Sequence, residues 1–258
     1  MAAAAVSWQK RDTAIEGLLE SVLNLSMKES FEGPVVLTGL HLGPDGGLAI
    51  EKAEASLKTL NGPFPFETEN IKLKWGRPTV ITFQHLRPSR SQDEGAEGRV
   101  VITSFFKQHF EADVDVKALD LREFEGLDPQ NLSGSSGKMS GHVRLRQGPG
   151  ENQEFLAELL VPEPGGEIQA KFFDLLIPYL PGANQKAIRA QLPAKGIVAY
   201  HHANFRVERA GPGKIKLLLN ILVPNYNLNL NLNAEVRVEE DSMFSQIAQI
   251  MGYAKVSV

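Results

Sequence analysis

The chain has 258 residues, a formal net charge of −4 from 27 basic and 31 acidic side chains, and 42% hydrophobic content. That apolar share is ordinary for a folded chain and excludes wholesale disorder, while the near balance of charge argues against a nucleic-acid scaffold held by a basic face. With no cysteine, disulfides, zinc–thiolate sites and thiol catalysis are excluded as well.

The chain is expected to be soluble, because its apolar runs fall short of the roughly 18–20 residues that span a bilayer. The first element is a helix from about Gln9 to Met27, where Ile15, Leu18, Leu19, Val22 and Leu23 recur at three- and four-residue spacing and form one apolar stripe. From Pro34 the period changes to two. Val35 to Leu42 reads as a strand, Pro44-Asp45-Gly46-Gly47 as a turn, and Leu48 to Leu57 as a second strand with a bulge near Glu51-Lys52, where the alternation changes phase. Phe64 to Trp75 and Val80 to Leu86 extend the meander as third and fourth strands. Arg87 to Glu97 is polar and is expected to be a disordered surface loop. Strands resume at Arg99 to Phe106 and Phe110 to Lys117, and a helical turn is expected within Leu119 to Leu127.

A small, flexible segment, Leu132 to Gly141, leads into a strand from Met139 to Arg146, and Phe155 to Val161 is the next strand. Two short helices, Phe173 to Tyr179 and Asn184 to Leu192, satisfy the prolines between them. Three long strands follow, Gly196 to Glu208, Lys214 to Val223 and Tyr226 to Glu239, and a helix from Asp241 to Met251 closes the chain. No βαβ alternation occurs. The expected fold is mainly β: a long, antiparallel, curved sheet with a few amphipathic helices at the N-terminus, near 173–192 and at the C-terminus.

Several catalytic patterns fail on inspection. Gly134-Ser135-Ser136-Gly137-Lys138 looks like a phosphate loop, but Leu132 stands where the first glycine is needed and Met139 where Ser or Thr must follow the lysine. The six histidines are scattered, His201 and His202 would face opposite sides of a strand, and no GxSxG elbow is present. Asp113 and Asp115 share a face expected to be wet. No cofactor, metal site or enzymatic activity is expected.

The last strands are more informative. Tyr226, Leu228, Leu230, Leu232, Ala234, Val236 and Val238 share one face, and asparagines fill the other from Asn225 to Asn233. Leu217, Leu219 and Ile221 give the neighbouring strand a similar row. Such rows either pack a sandwich core or line a trough that holds something apolar, such as acyl chains. The asparagine row is either a solvated face or an inter-strand amide ladder.

Three stretches carry a family likeness: Phe31 to Leu57 (FEGPVVLTGLHLGPDGGLAIEKAEASL), Leu132 to Leu145 (LSGSSGKMSGHVRL) with Gly165-Gly166-Glu167-Ile168, and Gly196 to Val207 (GIVAYHHANFRV). The chain resembles AsmA-like proteins of Gram-negative bacteria, of the YdbH type also labelled a dicarboxylate-transport domain. The resemblance implies a taco-shaped β-groove with an apolar interior, association with the inner membrane from the periplasmic side, and a part in moving phospholipid. Residues 1–30 are then an N-terminal amphipathic helix, and residues 31–258 a single elongated β-groove domain with a C-terminal helix. Phospholipid or another apolar ligand is the expected partner, with other envelope proteins besides and no nucleic acid. Membrane association would come from the first helix or from an anchor outside the chain. The expected groove residues are Val114, Val116, Leu217, Leu219, Ile221, Leu228, Leu230 and Leu232. The competing expectation is a structural component of an envelope or secretion assembly with a closed, dry core.

Overall fold

The computed structural model describes residues 31–237 except 44–45, 60, 105–108, 149–153, 181 and 212, together with Gly17 and Glu20. Eleven strands form one antiparallel sheet. In chain order they are β1 (Val36–Leu42), β2 (Leu48–Thr59), β3 (Gly62–Lys74), β4 (Thr79–Pro88), β5 (Gly95–Ser104), β6 (His109–Asp120), β7 (Lys138–Gln147), β8 (Glu154–Val161), β11 (His202–Gly211), β12 (Lys214–Val223) and β13 (Leu228–Arg237). Each pairs with its neighbour in that order, so the meander read from the alternation is the observed topology, and β1 and β13 are its edges. Between β8 and β11 the chain leaves the sheet. It forms a two-stranded sheet of β9 (Gly166–Gln169) and β10 (Ile197–Tyr200), with α2 (Phe172–Leu176) and α3 (Gly182–Gln191) between them. A further short helix, α1 (Pro129–Leu132), lies between β6 and β7.

The expected first and last helices lie almost wholly outside the described residues. Of the first, Gly17 and Glu20 are described and helical. Glu20 has a clear role: its Oε1 accepts the Leu37 backbone N–H at 2.7 Å, on edge strand β1. A carboxylate on an edge donor blunts that edge against strand addition.

Three expectations are corrected. The run Gly196 to Glu208 is two strands, because the chain breaks at His201 and passes from the small sheet to the large one. Tyr226 belongs to a 3-10 turn, Pro224–Tyr226, and Asn227 follows in the left-handed region (φ 49°), so the last strand begins at Leu228. Its ten residues span ~33 Å, shorter than the ~45 Å that Tyr226 to Glu239 would reach at ~3.3 Å per residue. The polar run after β4 is a tight, anchored connection. Ser91 is buried, the Arg87 guanidinium donates to the Asp93 carbonyl, and the Asp93 carboxylate takes the Asp120 N–H at 2.7 Å and pairs with Lys138.

The glycine motifs also meet in space, which a linear reading could not show. The backbones of Ser136 and Glu167 bond reciprocally, and the buried Tyr200 hydroxyl donates to the Ser136 carbonyl at 3.0 Å. A Cβ on Gly166 would stand 2.0 Å from the Ser136 carbonyl oxygen, and one on Gly165 2.0 Å from that of Tyr200. The two glycines are there so that three backbones can touch. The segment expected to be flexible, Leu132 to Gly141, is therefore pinned, and Ser135 within it is fully buried.

A crease crosses the sheet. On β1 the buried side switches from Val35 and Leu37 to Leu40 at Gly39 (φ 69°). On β2 it switches from Leu48 and Ile50 to the partly buried Ala53 and Ala55, which pack on the same cluster. The expected bulge near Glu51-Lys52 is not an inserted residue, since the β1–β2 register runs unbroken from Val36↔Glu54 to Leu42↔Leu48. The same line continues through Asn70 (φ 51°) on β3, His85 (φ 52°) on β4, Gly95 (φ 82°) on β5 and Ala118 (φ 49°) on β6. Register shifts accompany it at Glu69/Lys72, Phe83/Leu86 and Val116/Leu119. Left-handed residues in adjacent strands reverse which side chains face inward, and together they bend the sheet along one line. Local bonds hold them: Asn70 Nδ2 donates to Gln84 Oε1, His85 Nδ1 lies 2.9 Å from the Glu94 carbonyl, and the Ala118 N–H donates to Ser140 Oγ.

Candidate functional site

Cross-strand partners share a face, so the register traces the inner surface directly. Val114 on β6 pairs with Gly98 on β5 and Val143 on β7, and the row continues through Ala157, Val207 and Leu217 to Ala234 on β13. A second row runs Leu42–Leu48–Leu73–Ile81–Val100–Ala112–Leu145–Phe155, from β1 to β8, without one polar residue. Both rows are apolar from strand to strand, and polar members of the inner face, such as Thr79 and Gln147, lie beside them.

The two ends of the inner face belong to closed clusters, and its centre, among the described residues, belongs to neither. At the late end, Leu217, Leu219, Ile221, Leu228, Leu230 and Leu232 are only 2–6% exposed. They form one cluster with Phe173, Leu176 and Ile177 of the α2 region, Ile188 of α3, and Ile168 and Val198 of the small sheet. These six side chains were expected to line an unfilled trough. In the structure the protein's own β9–β10 sheet and helices fill it, so they are core. The excursion that covers them, Gly166 to Tyr200, precedes β11 in the chain, and nothing in the alternation of β12 or β13 announces it. At the early end Val35, Leu37, Leu40, Leu48 and Ile50 make a second, smaller cluster.

Between the two lie Ile81, Phe83, Val100, Ile102, Ala112, Val114, Val116, Val143 and Leu145, which belong to neither cluster and are half-buried. Val114 and Val116 are thus the two expected groove residues that lie half-buried on the inner face outside both clusters. The centre spans the inner positions Phe110 to Val116 along β6, ~20 Å at ~3.3 Å per residue, and four strands across, ~19 Å at ~4.8 Å per strand. One leaflet of hydrocarbon is ~15 Å deep, half of the ~30 Å core of a bilayer. An acyl chain fits within this surface in either direction.

The outer face is the electrostatic opposite. Asp113 pairs with Arg144 at 2.8 Å, His142 lies 2.8 Å from Asp115 and 3.2 Å from Asp113, Arg146 pairs with Glu111, and Arg206 bonds Glu158 and Glu208. The Arg144 guanidinium beside Asp113 holds that carboxyl below the usual carboxylate range. Asp113 and Asp115 are rungs of a cross-strand charge ladder, which is a structural use. Glu67 is buried on this side near the crease. Burial opposes its ionisation, but hydrogen bonds from Lys52 and Arg87 prevail and hold its pKa below the ordinary value. Tyr200, by contrast, is pushed up to about 12 by burial and by the nearby Asp120.

The asparagine row proves to be both of its alternatives at once. Asn229 and Asn231 are exposed, and Asn220 Nδ2 donates to Asn229 Oδ1 (3.0 Å) and to Asn231 Oδ1 (2.5 Å) across β12 and β13. A depression of ≈ 570 Å³ on this outer side is lined by Asn204, Asn231, Asn233 and the already paired Arg206 and Glu158. Its lining is mixed, with Leu160 and Leu218 beside the asparagines and the ion pair. Among the described residues no group of His, Asp or Glu is placed to hold a metal ion, and no helix is long and apolar enough to cross a membrane. No family model, curated protein or solved structure matches the chain.

Proposed function

We propose that the protein is a non-enzymatic lipid-binding module that holds or passes phospholipid acyl chains against the central inner face of its sheet. The observation that carries this reading is the unbroken apolar row from Leu42 to Phe155, whose middle members Ile81, Val100, Ala112 and Leu145 lie in neither core. These members are half-buried, and a continuous apolar surface that belongs to neither core favours a further apolar cover. Ten methylenes laid on it would contribute about 8 kcal/mol at ~0.8 kcal/mol each, with no directional contact required. The glycine-motif resemblance to AsmA-like proteins extends the proposal to the Gram-negative envelope, on the periplasmic side of the inner membrane.

A second reading is favoured by the closed late end, where the rows from Ile215 to Val223 and from Leu228 to Leu232 are packed in one cluster. On that reading the protein is a scaffold of an envelope or secretion assembly, and the central face receives another protein. Native mass spectrometry of protein purified without detergent separates the two. Co-purified phospholipid is the expected result, and repeated lipid-free preparations would leave the scaffold reading standing.

A further inference from the structure

The β3–β4 hairpin stands apart from the rest of the surface. Lys72, Lys74 and Arg77 are all exposed and form no ion pair among the described residues, whereas Lys117, Arg144 and Arg146 on β6 and β7 each have a carboxylate partner. Between them sits Trp75, 53% exposed, the most exposed large hydrophobic residue of the described chain. The turn that presents it is tied, with Thr79 Oγ1 donating to the Gly76 carbonyl at 3.1 Å. The hairpin also marks an end of the central inner face, because Leu73↔Ile81, a rung of the long apolar row, lies just before the turn. Trp75 follows Ile71 and Leu73 at the same two-residue spacing.

We propose that this hairpin is a docking surface for an anionic phospholipid membrane, holding the open end of the trough against the lipid it takes up or delivers. The chemistry is complementary on both counts. An indole is at home at the boundary between headgroups and acyl chains, where its apolar ring is buried and its N–H stays wet. Three unpaired cations beside it meet the negative potential of anionic headgroups, each strengthening attachment about 5-fold and the three together about 100-fold. The exchange role rests on the lipid-binding reading of the trough, while the docking itself rests on the hairpin alone.

The test is co-sedimentation of the full chain with phosphatidylcholine vesicles and with vesicles of phosphatidylcholine and phosphatidylglycerol at 7:3. Binding is expected to the anionic vesicles, to be weak on the neutral ones, and to fall steeply as salt is raised. The triple variant K72Q/K74Q/R77Q should lose about 100-fold in partitioning, and Trp75→Ser should lose about 10-fold. Both replace exposed side chains, and an unchanged circular dichroism melt would show that the fold is kept. Equal binding to both vesicle types, no binding to either, or unchanged binding of the triple variant or of Trp75→Ser would overturn the docking proposal. Loss of co-purified lipid from a protein that still docks would count against the trough instead.

Discussion

Leu230 and Val114 lie on the same inner face of one sheet, yet truncating them should have very different consequences. Leu230 is 2% exposed, pairs with Ile221 at 3%, and shares its cluster with Phe173 and Val198, each at 1%. Leu230→Ala removes three carbons from a closed core and leaves a cavity, so the expected loss is about 3–4 kcal/mol. Val114→Ala removes two carbons from a half-buried position in neither cluster, with no enclosed cavity left behind, and should cost under about 1 kcal/mol. Urea unfolding followed by far-ultraviolet circular dichroism measures both. At an m-value of about 3 kcal/mol/M, the first variant lowers the midpoint by about 1 M with the slope unchanged, and the second scarcely moves it. A cost below about 1 kcal/mol for Leu230→Ala would refute the reasoning, because it would mean that the late rows are not closed by α2, α3 and the small sheet.

The crease and the charge network make two further predictions. Ala118→Gly, normally destabilising in a strand, should be neutral or should stabilise by up to about 1 kcal/mol, because alanine at φ 49° carries left-handed strain that glycine does not; a loss of stability in the same urea experiment would deny that strain. Glu67 has a pKa below its ordinary value when folded, so its stabilising share is complete above the unfolded carboxyl pKa and is lost as pH falls through the folded one. Glu67→Gln should therefore cost about 1–3 kcal/mol at pH 7 and flatten the decline in stability below about pH 4. A variant that retains the full acid decline would show that the carboxylate network around Lys52 and Arg87 is not its source.

Much of the fold was legible because alternation in an antiparallel meander is local information. The strand Phe110 to Lys117 reads Phe-Glu-Ala-Asp-Val-Asp-Val-Lys, and it lies within β6 with its apolar members inward. The phase change at Glu51-Lys52 was visible as well, but its cause was not. It is a line of left-handed residues shared by neighbouring strands, and non-glycine members such as His85 and Ala118 carry no sequence mark of that conformation. The site was half legible for the same reason. Alternation reports which residues share a face and is silent on what covers that face. Val114 and Leu230 have the same local pattern, and only the excursion between β8 and β11, folded back over β12, makes the second core and leaves the first outside it. The break at His201 was hidden because Val198, Tyr200 and Val207 all look like strand residues, although the first two serve a different sheet.

Adjacent residues on β6 offer the most direct test of the central claim. A benzophenone side chain placed at position 114 would lie on the central inner face, whereas one at 115 would project from the charged outer face, where the Asp115 side chain is now 63% exposed. After irradiation in the presence of radiolabelled phosphatidylglycerol vesicles, covalent lipid is expected on the protein labelled at 114 and not on the protein labelled at 115. Equal labelling at both positions, or none at 114 while the fold is intact, would contradict an acyl-chain trough at the centre of the sheet.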